Sequence, residues 1–116
     1  MFVQGQKPSL IIVPDQVFAL SVALHRAGYA AHRGPRITRE AEVLTYRKRF
    51  TVQGATRQNH IQVVCLNDAK DLGVFAHTEP WGYGLQHFLS AICDKANYGA
   101  GAAMLLRDLK RAGFSG

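Results

Sequence analysis

Between residues 43 and 52 the chain alternates with a period of two, and this pattern narrows its possible folds more than any other. Leu44, Tyr46, Lys48, Phe50 and Val52 fall on one side, and Val43, Thr45, Arg47, Arg49 and Thr51 on the other. That period is the signature of a strand. Residues 53–59 follow as a polar loop containing Gly54. Residues 60–66, rich in Ile and Val, then read as the return strand of an antiparallel hairpin. Residues 67–71 make a second connection, and residues 74–78 make a third strand.

Helical spacing flanks this hairpin. Val17, Leu20, Ser21, Leu24 and Gly28 recur at i, i+3, i+4 and i+7, with Phe18 beside them. Pro14 and Asp15 suit a first helical turn, and Arg26 and Gly28 suit a last one. Before them, residues 8–13 form a short extended lead-in. Residues 29–32 form a further short strand, Gly34-Pro35 a turn, and residues 38–42 a single helical turn. Leu85, Phe88, Leu89 and Ile92 space as one late helix, residues 97–101 interrupt it, and residues 102–112 form a last helix. The expectation is therefore one α+β domain over residues 1–116. It has a small antiparallel sheet of three or more strands, with an N-terminal helix and two C-terminal helices on one face.

A chain of 116 residues is long enough to bury a core without a metal or disulfide staple. Cys65 and Cys93 each sit among apolar residues and read as buried free thiols. Residues 1–7 show no basic stretch leading into an apolar one, and no run approaches the ~20 apolar residues of a membrane span. The expected setting is the cytoplasm of a bacterium or of a phage-infected cell, with no membrane partner.

The net charge of +6 is confined to one third of the chain. Residues 24–60 hold eight lysines and arginines against Glu40 and Glu42, whereas the remainder balances six cations against six carboxylates. Seven of those eight cations are arginine, whose planar fork suits phosphate and carboxylate. Alternation sets Arg47 and Arg49 side by side about 7 Å apart. With Arg33, Arg36 and Arg57 they are the candidate anion-binding residues. Trp81 and Tyr83, in a glycine-containing loop before the late helix, are candidates for contacting a ligand or a partner.

Two further constellations involve histidine. His77 and Glu79 are two apart on a strand, so both point the same way, and with His87 they are candidate metal ligands. This H-x-E arrangement is similar to the start of the zinc-deaminase signature. The P-C-x-x-C that completes that signature is absent, which leaves such a site one thiolate short. His60 and His77 are candidate bases for metal-free RNA cleavage, with the basic segment supplying charge stabilisation. The order helix, three strands, helix looks like that of double-stranded-RNA-binding domains and of HicA-type RNA-cleaving toxins. The lysine-rich helix start of the former is replaced by Gly84-Leu85-Gln86-His87.

No nucleotide-binding glycine motif, nucleophile elbow or carboxylate pair is present in the sequence, and no cofactor is expected. The leading expectation is a small basic non-enzymatic accessory protein. It binds a polyanion, nucleic acid first, through the arginine-rich strand face. The alternatives are an assembly factor acting as a homodimer or docking on an acidic protein, and a small metal-independent ribonuclease with a histidine base.

Overall fold

A computed structural model describes residues 8–31, 36–37, 41–66, 70–81 and 95–114. The elements in chain order are β1 (Leu10–Ile12), a 3-10 turn (Pro14–Gln16), α1 (Val17–Arg26), β2 (Ala30–Ala31), β3 (Arg36–Ile37), β4 (Ala41–Val52), β5 (Ala55–Leu66), β6 (Leu72–Pro80) and α2 (Lys95–Arg111). One antiparallel sheet holds all the strands in the order β1-β6-β5-β4-β2, with β3 also paired to β4.

This overturns the expected fold class. The sheet dominates the molecule, and among the described residues one C-terminal helix, α2, takes the place of the two expected. Residues 97–101, expected as a break because of Gly99 and Gly101, lie inside α2. The late helix expected around Leu85–Ile92 lies outside the described residues. The reason for the difference is packing. A Cβ at Gly101 would stand 2.6 Å from His77 Cα and 2.7 Å from its nitrogen. The glycine therefore lets α2 rest directly on the backbone of β6, and tertiary contact overrides poor helix propensity.

The hairpin is also longer than the sequence implies. Its turn is only Gln53-Gly54, with φ of 49° and 77°. Two consecutive positive φ values make a two-residue turn whose twist matches that of the flanking strands. Each flanking strand has twelve residues, paired from Val52↔Ala55 to Ala41↔Leu66. Residues 55–59, expected as loop, are strand. Ala41 and Glu42, expected at the end of a helical turn, also belong to a strand.

Helices α1 and α2 cover one face of the sheet. Leu20, Ala23 and Leu24 of α1 and Leu105 and Leu109 of α2 pack on Ile61, Val63, Val74 and Ala76. Burying each such large side chain contributes roughly 1.5–3 kcal/mol. The helices end alike. The Tyr29 amide donates to the Leu24 carbonyl at 2.9 Å and the Phe114 amide to the Leu109 carbonyl at 3.0 Å. Each bond folds an aromatic residue back against the core, the habit of a Schellman ending. The Ser21 and Tyr46 hydroxyls lie 2.6 Å apart and tie α1 to β4. Phe18, expected beside the core stripe, is 80% exposed. No helix among the described residues is long and apolar enough to cross a membrane.

The two glycines of α2 have opposite environments, which yields a paired expectation. Gly99 has open space where a Cβ would go. Gly99→Ala should raise unfolding free energy by about 0.5–1 kcal/mol through helix propensity. Gly101→Ala should lower it by about 1–3 kcal/mol through overpacking against β6. Urea denaturation of the two variants beside wild type reads both signs.

Candidate functional site

Strands β5 and β6 are buried along most of their length on both faces. Residues 58–64 of β5 and 72–79 of β6 are all buried, polar and apolar alike. On the face turned to the helices lie Asn59, Ile61 and Val63, opposite Thr78, Ala76 and Val74. On the other face lie Gln58, His60 and Gln62, opposite Glu79, His77 and Phe75. Buried polar groups require internal partners, and each face carries its own network.

On the helix face, Asn59 Nδ2 donates to Tyr29 Oη at 2.9 Å and to the Gly101 carbonyl at 3.2 Å. Tyr29 in turn donates to Asp108 Oδ2 at 3.0 Å, and Lys48 Nζ reaches the same oxygen at 3.2 Å. Burial raises the Tyr29 hydroxyl well above the usual phenol range; the Asp108 carboxylate adds to this and the Asn59 hydrogen bond opposes it. The network locks β5, α2 and the chain after α1 together.

The other face is organised in two cross-strand rows. One row is Arg47, His60 and His77; the next is Arg49, Gln58 and Glu79. His60 Nδ1 lies 3.2 Å from His77 Nε2. The Glu79 carboxylate meets both, at 2.9 Å from His77 Nε2 and 3.3 Å from His60 Nδ1. Gln58 Nε2 donates to the same carboxylate. The two imidazoles meet edge to face with centroids 4.7 Å apart. Burial alone raises the Glu79 carboxyl, but hydrogen bonds from His60, His77 and Gln58 outweigh it and hold the group far below the usual carboxylate range.

Trp81, two residues after Glu79, ends this face. Its amide donates to the Thr56 carbonyl at 3.1 Å, which pins it beside the hairpin turn. The Arg47 guanidinium lies 4.4 Å and that of Arg49 5.3 Å from the indole centroid. Among the described residues, the ion pairs engage Lys48, Arg107, His60 and His77, and leave Arg47 and Arg49 to the indole. Arg49 and Trp81 are exposed and Arg47 is half-buried.

The sequence candidates are thus partly gathered and partly separated. Arg47, Arg49 and Trp81, unrelated features in the sequence, form one patch. Arg57 lies on the opposite face, where its Nη2 donates to Thr78 Oγ1 at 3.4 Å. Arg33, Tyr83 and His87 lie outside the described residues, and of Arg36 only the backbone in β3 is described. His60, His77 and Glu79 converge. Gln58 is not among the sequence candidates; its alternation with His60 and Gln62 on one face is the signal that could have found it. No family model, curated protein or solved structure matches this chain, and the site is therefore read from its own chemistry.

Glu79 makes the stability of this face pH-dependent in a defined direction. A carboxyl lowered by folding contributes stability above its unfolded value, near the ordinary 4.5, and loses it as pH falls below that value. In chelator-treated protein, the stability advantage of wild type over Glu79→Gln should be full near neutrality and shrink below pH 4.5. Denaturation midpoints taken from neutral to acid solution measure it, and a gap that stays constant contradicts the arrangement.

Proposed function

We propose that the protein binds the anionic backbone of a nucleic acid through the patch formed by Arg47, Arg49 and Trp81. The observation that carries this reading is the convergence of two guanidiniums on one exposed indole. Attraction to the indole face holds each guanidinium close to it, and the N–H groups on its far side can meet phosphate oxygens. The exposed indole edge and the arginine planes also offer surfaces on which a base can stack. Phosphate contact of this kind positions a strand without reading its sequence. The net charge of +6 adds long-range attraction.

Two rival readings fare differently. Complete burial of both rings weighs against His60 or His77 acting as a base on an RNA strand. A protein-docking role draws support from Phe18, 80% exposed on α1, and from Ile11, 59% exposed on the edge strand β1.

Fluorescence anisotropy with a labelled single-stranded and a labelled duplex oligonucleotide tests the proposal. Binding should weaken steeply with salt. Arg47→Ala/Arg49→Ala should weaken it at least tenfold and reduce the salt slope by about 2, roughly one unit for each phosphate left without its arginine. Arg57→Ala, on the opposite face, should leave affinity within about twofold. Equal weakening by both changes would mean that net charge alone attracts the oligonucleotide, and the patch would have no role. A stable dimer that binds neither oligonucleotide and dissociates on Phe18→Ser would establish the docking reading instead.

A further inference from the structure

We infer that His60 Nδ1, His77 Nε2 and the Glu79 carboxylate form a binding site for a divalent first-row transition-metal ion. The three residues sit on adjacent strands of one sheet face, His60 directly opposite His77 and Glu79 two residues further along β6. Their side chains are 0%, 0% and 1% exposed. One candidate donor atom from each lies within 4.8 Å of the other two.

The spacing fits an ion. Donors at roughly 2.0–2.2 Å from a metal, arranged as tetrahedral or octahedral neighbours, lie roughly 2.8–3.5 Å from one another. The two ring nitrogens lie 3.2 Å apart, and the carboxylate sets Oε1 2.9 Å from His77 Nε2 and Oε2 3.3 Å from His60 Nδ1. An ion among them would meet both imidazoles and the carboxylate with little movement of either strand.

Each ring nitrogen has one in-plane position, which holds either an N–H or a lone pair. With both protonated, the two rings donate to the two oxygens of Glu79. With both deprotonated, their lone pairs and the carboxylate point at one another, and a cation among them replaces the two protons.

The donor set also selects the metal. Two imidazoles and one carboxylate suit zinc or ferrous iron, whereas calcium and magnesium take shells of oxygen. Gln58, donating to the Glu79 carboxylate, supplies the outer hydrogen bond that orients such a ligand. Three protein donors leave at least one coordination position for a further ligand. The neighbours on β4 are Arg47 and Arg49, so that ligand is expected to be an anion.

Metal-stripped full-length protein, titrated with Zn2+ by calorimetry and by thermal denaturation, tests the site. Because the donors are buried, the titration is run on folded protein and on protein refolded with the ion. One Zn2+ per chain should bind and raise Tm, and a hundredfold excess of Mg2+ should not displace it. Co2+ should give a saturable visible spectrum of nitrogen and oxygen coordination. His60→Gln, His77→Gln and Glu79→Gln should each weaken Zn2+ at least a hundredfold. Gln58→Leu should weaken it about 10–100-fold, while the exposed His25→Ala should leave it unchanged. The inference fails if wild type takes up no stoichiometric Zn2+ by either route. It fails equally if the three ligand variants keep affinity within threefold, or if His25→Ala abolishes binding. Should a ligand variant not fold by circular dichroism, the wild-type Co2+ spectrum decides. Nitrogen and oxygen coordination supports the site, and thiolate charge-transfer bands or no saturable spectrum overturns it.

Discussion

Strands β5 and β6 have no wet side along most of their length. Most antiparallel sheets keep one face in solvent and place polar residues there. Here the polar residues from Gln58 to Gln62 and from His77 to Glu79 are enclosed, so each must find a partner within the protein. That demand explains why Gln58, Asn59, His60, Gln62, His77, Thr78 and Glu79 occur where a simple core would carry Val or Ile. It also bears on their arrangement, since two of the facing pairs bond directly: Gln58 with Glu79 and His60 with His77.

The two faces serve different ends. The network toward the helices joins Tyr29, Asn59, Lys48 and Asp108 across elements distant in the chain and holds the layers together. The network on the other face concentrates two imidazoles on one carboxylate and borders the arginine and tryptophan patch. Two imidazoles sharing one buried carboxylate is a grouping of titratable side chains of the kind that also occurs at functional sites.

Much of the sheet is legible in the sequence where one side of a strand is apolar and the other polar. Residues 43–52 obey that rule, and β4 forms there. The first half of β5 does not, because Arg57, Gln58 and Asn59 are polar on both sides and imitate a loop until their burial is known. The glycines of α2 mislead for a related reason: Gly101 serves contact with β6, and no local pattern reveals its closeness to residues 76 and 77. The site shares this limit. His60, His77, Glu79, Arg47, Arg49 and Trp81 are each visible as candidates. Their grouping depends on strand register, which a two-residue turn and the β5–β6 pairing fix, and on the return of the chain to place Trp81 beside Thr56.

The turn at Gln53-Gly54 bears on how this chain tolerates change in length. Side chains alternate across a strand, so one residue inserted into or deleted from β5 inverts everything beyond it. Gln58, His60 and Gln62 would face the leucines of the helices, and Ile61 and Val63 would replace the histidine and glutamines beside Glu79. In a sheet with one solvated face such a slip exposes oil to water. Along β5 and β6 both sides are enclosed from Gln58 to Val64 and from Leu72 to Glu79, and the slip would bury imidazole in hydrocarbon while stripping a carboxylate of its donors. Length in the hairpin is therefore held by polarity as much as by the apolar core, and drift by single residues is closed to it.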